Sequence, residues 1–316
     1  MNMEKKLSAC LWSDIKHRFA MTGKQMKRAK ISYLFVAPFC LLFILFYLVP
    51  VATSIGLSFT YYNVLEAPRF IGWQNYINLF FADDVFPTAV KNTFLFAVVT
   101  GPIGYFAALI IAWMINEIKN RFLRALMTLV FYAPTISGQA YFIWKFIFSS
   151  DSYGMANGWL QKLGIIYKPI LWFEDARYIQ PILIIVVLWM SMGTGFLSFI
   201  AGLQNVNQSL YEAGYVDGIK NRFQELWYIT LPSMKPQLMF GAVMTITNSF
   251  AIHDQLAALA GFPSVDYAAH TVVSHLVDYG TIRFEMGYAS AIATLLFMVM
   301  ILCNKLVQKL LRKVGN

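Results

Sequence analysis

Six stretches of this chain stay apolar for about twenty residues or more, and nothing else about the sequence limits its possible folds so severely. They cover roughly residues 32–59, 89–115, 124–148, 178–203, 234–254 and 286–311. A bilayer core of about 30 Å is crossed by about 20 apolar residues in a helix. The composition points the same way: 58% of residues are hydrophobic, only 13% are charged, and mean hydropathy is +0.56. Such a chain has too little polar surface to cover itself in water. The expectation is an all-α integral membrane protein with six transmembrane helices. The fifth stretch is the weakest, because Asn248, His253 and Asp254 lie near its end. The second carries Gly101, Pro102 and Gly104, which predict a kink that packed neighbours must accommodate.

A net charge of +9 would suggest nucleic acid in a soluble protein. Here its distribution orients the chain instead. Eight Lys and Arg precede residue 31: Lys5, Lys6, Lys16, Arg18, Lys24, Lys27, Arg28 and Lys30. Lys119, Arg121 and Arg124 follow, then Lys220, Arg222 and Lys235, then Lys305, Lys309, Arg312 and Lys313, which together make 18 of the 25. Six spans put all of these on one side, and the positive-inside rule makes that side the cytoplasm. Both termini are therefore expected there, with residues 1–30 a cytoplasmic tail and 31–316 the six-span domain. No basic patch interleaved with aromatics lies outside the apolar segments, so nucleic acid is not an expected partner. The polar N-terminal stretch does not read as a cleavable signal. Trp73, Tyr76, Trp159, Trp172 and Phe173 in the outer loops suit an interfacial aromatic belt in contact with membrane lipid, compatible with a docking surface for an external protein.

Between the fourth and fifth spans the chain changes character, in a loop over 204–233. Ser209-Leu210-Tyr211-Glu212 has the form of a capping box that starts a short helix. Gly218 can take positive φ and end it. Asn221 can cap a second helix, with Phe223, Leu226 and Trp227 on one face. Pro232 and Pro236 stand where the next span begins. Helices this short are not stable alone and must pack against something, with the aromatic face of the second expected to hold the span ends.

Glu212-Ala213-Gly214, then Gly218, then Ile229-Thr230-Leu231-Pro232 resembles the signature of binding-protein-dependent ATP-binding-cassette importer permeases. "YLFVAPFCLLFILFYLVPVATSIGLSF", "FIGWQNYINLF", "NTFLFAVV", "YAPTISG" and "MGYASAIATLLF" resemble the carbohydrate-uptake branch, on the maltose first-permease side. The resemblance implies the type I importer permease fold and a coupling helix in a cleft of a separate ATPase, with Glu212, Ala213, Gly214, Asp217 and Gly218 as the docking set. It implies that Phe223, Trp227, Leu231 and Pro232 brace the module. It also implies a second homologous permease, an ATPase dimer that binds ATP and Mg, and an extracytoplasmic solute-binding protein. Two departures stand out. Gly214 replaces the usual alanine, which loosens that helix by roughly 1 kcal/mol, and the spacing from Gly218 to Ile229 is one residue longer than usual.

No catalytic constellation accompanies these features. The chain contains no G-x-x-x-x-G-K-[ST], H-E-x-x-H or G-x-S-x-G, so an enzyme is not expected and no cofactor or metal is assigned. Cys10, Cys40 and Cys303 form no C-x-x-C. His270 and His275 have the wrong helical spacing for a joint metal face and read as ordinary loop residues. Polar groups inside spans are costly and so are candidates for a substrate path: Trp189, Ser191, Thr194, Asn248, His253 and Gln255. Indole, amide and hydroxyl groups together suit sugars, and the scarcity of buried charge favours a neutral cargo over a glycerol-phosphate-type one. A secondary transporter working alone would need coupling carboxylates within the spans, and there are almost none.

Overall fold

The computed structural model describes residues 30–312, so the polar N-terminal stretch expected as a tail lies outside the described residues but for its last. The chain divides into two compact units, the division falling between Gly56 and Leu57. The first contains all but the last residue of α1, Lys30–Leu57, a 28-residue apolar helix with a π-helical turn at Ile44–Leu48. No residue of α1 is buried.

The second unit begins with a small antiparallel hairpin, β1 (Thr60–Tyr61) and β2 (Arg69–Phe70), and a short helix α2 (Gln74–Phe81). Then come α3 (Phe86–Asn116), α4 (Arg121–Ser137), α5 (Phe142–Ile147) and α6 (Met155–Lys162). After α7 (Ala176–Trp189) and α8 (Thr194–Gln204) follow α9 (Gln208–Val216) and α10 (Arg222–Glu225). The last elements are α11 (Lys235–Phe250), α12 (Asp254–Ala260), α13 (Val272–Val277) and α14 (Met286–Leu311).

Among the described residues, four helical stretches are long and apolar enough to cross a membrane: α1, α3, α7–α8 taken together, and α14. Large side chains such as Phe106, Leu129, Ile185 and Met298 remain exposed, which suits hydrocarbon rather than water. Three of the six expected spans differ from a plain helix. The third ends early, because Gly138 at φ +64° terminates α4, and α5 resumes only at Phe142. The fifth stops at Phe250, and Asp254 opens a new helix. The fourth is interrupted at Met190–Gly193, near the middle of its length. By contrast α3 runs as one 31-residue helix through Pro102.

α3, α8 and α11 pack around a core of Phe196, Phe199, Leu203, Met234 and Leu238 with Ala108, Ala112 and Ile115. The crossing of α8 and α11 depends on small residues. A Cβ on Gly195 would stand 3.4 Å from the Gly241 backbone, and one on Gly241 would stand 2.5 Å from the Phe199 ring. Helices in lipid gain little from mutual burial of apolar surface, so close backbone approach at such positions supplies much of the packing. A second core gathers Phe96, Ile179, Leu183, Val186, Ile252 and Leu256. A third joins Leu79, Phe86, Val272, Tyr288 and Ile292.

Candidate functional site

Three features of the second unit carry chemistry: the module between α8 and α11, a cavity at the break between α7 and α8, and a buried polar cluster at the end of the bundle away from the module.

The module has the architecture expected from its glycine and asparagine, with local differences. α9 starts two residues earlier than the capping box implied. Asn207 is the N-cap, its side chain accepting from Ser209 N at 3.1 Å, so Ser209 and Glu212 are not used as a capping pair. Gly218 at φ +93° then ends the helix, and Ile219 N donates to Gly214 O at 2.9 Å. Asn221 caps α10, accepting from Gln224 N at 2.8 Å, while Gln224 Oε1 accepts from Lys220 N at 2.9 Å. Of the docking residues implied by the resemblance, Glu212, Ala213, Asp217 and Gly218 are exposed, whereas Gly214 is buried.

Both departures from the usual signature have a local counterpart. A Cβ on Gly214 would stand 2.6 Å from Ile229 Cδ1 and 3.1 Å from Ile219 Cδ1. The missing methyl therefore lets α9 settle on the helix that follows. The extra residue coincides with a π-helical turn, Leu226–Thr230, closed by Leu231 N on Leu226 O. A π-turn takes up one additional residue while the helix on either side keeps its course. Thr230 Oγ1 donates to Glu225 O at 3.2 Å and pairs with Tyr211 OH at 2.9 Å, tying the turn to α9.

Of the expected aromatic brace, Phe223 makes a ring contact with the bundle although both rings are largely exposed. Phe223 and Trp227 are 73% and 67% exposed, although the Phe223 ring reaches Trp113 of α3 at 5.5 Å. The buried side consists of Glu225, Ile229 and Thr230. Leu231 packs half-buried on the core beneath, and Pro232 is half-buried beside it. Glu225 is a buried carboxylate held by Arg222 Nη1 at 2.6 Å and by Tyr215. Burial pushes its carboxyl up, but the hydrogen bonds from Tyr215 and Arg222 and the charge of Arg222 outweigh it and keep the group below its ordinary range. Only an i,i+3 charge pair in the sequence hinted at this arrangement.

The cavity has a volume of about 330 Å³ and is lined by Thr100, Thr135, Ser191, Phe196, Phe199, Thr245, Asn248, Asp254 and Gln255, among others. It exists because α7 and α8 do not join. The carbonyls freed at the break are satisfied by Thr135 Oγ1, which donates to Met190 O at 3.2 Å and Met192 O at 3.1 Å. Interrupted backbone at membrane depth is tolerated where it lines such a cavity. Of the six expected path residues, Ser191, Asn248 and Gln255 line it. Ser191 is committed to Leu188 O at 2.7 Å, whereas Asn248, Asp254 and Gln255 make no side-chain hydrogen bond among the described residues. Trp189, Thr194 and His253 lie outside the lining. The Trp189 ring packs edge-on against Trp144 at 5.6 Å, and His253 Nδ1 pairs with Ser274 Oγ at 2.9 Å.

The third feature was not legible beforehand. His270 and His275, expected as ordinary loop residues, are 3% and 2% exposed. His275 Nε2 lies 2.9 Å from Asp83 Oδ2, which also accepts from Tyr288 OH at 2.8 Å and Tyr279 OH at 3.2 Å. Asp83 Oδ1 accepts from the N–H groups of Val85 and Phe86 at the start of α3. Burial raises the Asp83 carboxyl, but the bonds from Tyr288, Phe86 and His275 prevail and hold it below its usual value. Burial also lowers His275 despite the adjacent carboxylate, and lowers His270 to about 4. The hydrogen-bond chain then orders itself. An ionised Asp83 only accepts, so His275 Nε2 donates to it, and neutral His275 Nδ1 accepts from His270 Nε2 at 3.2 Å. His270 Nδ1 is left buried and without a partner. Asn92 Nδ2, donating to Tyr267 O and His270 O, fastens this segment to α3.

Comparison with known proteins agrees with this anatomy. Residues 100–313 match the family model described as binding-protein-dependent transport system inner membrane component. The probable ABC transporter permease protein YesP of Bacillus subtilis is 32% identical over 85% of this chain and 86% of its own. The lactose transport system permease protein LacF of Rhizobium radiobacter is 34% identical over 71% of this chain and 74% of its own. The arabinooligosaccharides transport system permease protein AraP of Bacillus subtilis is 30% identical over 88% and 87%. In fold, the chain superimposes with a TM-score of 0.74 on a bacterial alginate ABC transporter crystallised with an alginate pentasaccharide-bound periplasmic protein. That match is 21% identical and covers 93% of this chain and 98% of the other. This multi-pass membrane protein therefore belongs to the binding-protein-dependent transport system inner membrane components, the non-catalytic permease subunits of ATP-binding-cassette importers.

Proposed function

We propose that this chain forms half of the translocation path of an ATP-driven, binding-protein-dependent importer for a neutral carbohydrate, an oligosaccharide in the first instance. The observation that carries the reading is the module. On the basic side of the chain, a glycine-jointed helix exposes Glu212, Ala213, Asp217 and Gly218 while its underside is bonded to the bundle. A partner ATPase dimer, with ATP and Mg bound there, grips α9 and rocks the spans. A second homologous permease completes the path, and an extracytoplasmic solute-binding protein delivers cargo. Both termini lie in the cytoplasm, and α4 with α5 and the α11 region cross the membrane as the third and fifth of six spans. α4 and α11 are 17 and 16 residues long, so each reaches about 25 Å and needs the turns that follow to complete the crossing.

The relatives named for lactose and for arabinooligosaccharides support a carbohydrate cargo. The cavity adds a chemical argument. Asn248 and Gln255 present free amides, Phe196 and Phe199 present ring carbon, and the charged residue of the lining is the acidic Asp254. Amides and rings match hydroxyls and C–H faces, whereas a phosphorylated cargo would meet a carboxylate with no cation beside it.

The reading is tested with the four-component transporter in proteoliposomes. Asp217→Lys should abolish solute uptake and receptor-stimulated ATP hydrolysis while insertion persists, and Asn248→Ala should raise the apparent KM about fivefold, the value of one lost hydrogen bond. Full receptor-stimulated hydrolysis with Asp217→Lys would refute the docking assignment.

A further inference from the structure

The module is covalently joined to α8 and α11, yet side chains also tie it to α3. Glu117 caps the end of α3, and its Oε2 lies 3.5 Å from Arg222 Nε. The same guanidinium holds the buried Glu225 carboxylate at 2.6 Å, and Glu225 in turn accepts from Tyr215 of α9. Beside this chain of bonds, the Phe223 ring tilts against Trp113, one turn before the end of α3. Two independent contacts, one ionic and one aromatic, thus link α10 to the same end of the same helix.

We propose that Arg222 and Glu117, with the Phe223–Trp113 contact, form a strut that makes α3 move with the coupling module. The displacement an ATPase imposes on α9 then reaches three membrane helices rather than the two that flank the loop. The proposal rests on the reading of α9 as the ATPase-docking helix. Glu117 and Arg222 are positioning residues, since they touch neither cargo nor the docking face. Their side chains are 41% and 61% exposed, and exposed pairs contribute little to stability. The strut's work should accordingly appear in coupling and not in folding.

The test uses the complete transporter in proteoliposomes, with Cys10, Cys40 and Cys303 replaced by serine, and reads solute moved per ATP hydrolysed. Glu117→Gln keeps the Arg222–Glu225 pair and should lower that ratio about threefold, within the range for one exposed ion pair, with the melting temperature unchanged. Adding Trp113→Cys and Phe223→Cys and joining them with a short bis-methanethiosulfonate linker should restore the ratio, because a covalent link replaces the ionic one. An unchanged ratio with Glu117→Gln, or a linker that stops transport until it is reduced, would overturn the strut, the latter by showing that the module slides on α3. If the serine-replaced parent transporter shows no receptor-stimulated, ATP-driven uptake, the functional reading fails instead, so the two failures are distinguishable.

Discussion

Asp83 and Glu225 are both buried carboxylates held by several donors, at opposite ends of the bundle, but they find their partners differently. Glu225 pairs with Arg222 three residues before it and with Tyr215 in the preceding helix. Asp83 draws on His275, Tyr279 and Tyr288, which lie 192, 196 and 205 residues along the chain. The first is a local cluster that gives a small module its shape. The second closes the bundle, fastening the start of α3 to α13, the turn after it and the start of α14. Local bonds travel with the module as one piece. Bonds that span the chain hold several helices together at the other end. A buried charge is tolerated in either place because its donors are in place, and it becomes a liability once they are removed.

The comparison can be broken at Asp83 with the largest expected effect. Asp83→Ala leaves His275, Tyr279, Tyr288 and two backbone N–H groups without their acceptor, and should destabilise the protein by roughly 3–5 kcal/mol. Thermal unfolding in detergent would read this as a melting temperature many degrees lower, and an unchanged melting curve would mean that the cluster does not close the bundle. Glu225→Ala should cost less, about 1–3 kcal/mol confined to the module. Hydrogen exchange should then rise in residues 208–233 with little change in α3 or α14, and a global loss of protection would erase the distinction between local and long-range clusters.

Acidity separates the two ends more finely. His270 has a folded pKa lowered to about 4 from 6.5 by burial and by His275. Between those values the unfolded chain binds the extra proton, so stability is complete above about pH 6.5 and declines as pH falls toward 4. Asp83, held below its ordinary value of 3.8, adds its own loss only at more acid pH. The wild-type melting temperature should therefore fall between pH 7 and 5. His270→Asn should flatten that slope, at the cost of some stability at pH 7, and an identical slope would remove His270 from the cluster's acid response.

Much of this protein was written in local patterns. Apolar length marked α1, α3, α7–α8 and α14, and Gly218 and Asn221 marked the joint and the second cap of the module, because a left-handed φ and an N-cap depend on one residue and its immediate neighbours. Other features needed the folded chain. The aromatic face at Phe223 and Trp227 was expected to point inward, since an ordinary helical period groups those residues. Both rings are largely exposed, with Phe223 against Trp113, and the π-turn at Leu226–Thr230 shows in sequence only as one extra residue in a spacing. Trp189 packs against Trp144, and the break between α7 and α8 opens the cavity to Ser191, Asn248 and Gln255.

By itself the sequence determined that the chain lives in a bilayer and where its short helical module lies. Hydrocarbon thickness and glycine backbone freedom both act over a few residues to a few turns. Only the tertiary structure decided that Asp83 would meet His275, that His270 would end in an unpartnered nitrogen, and that Arg222 would reach Glu117. Each of these contacts depends on helices distant along the chain being packed to within hydrogen-bond or ion-pair distance, and no periodicity within one segment encodes which distant side chain will be there.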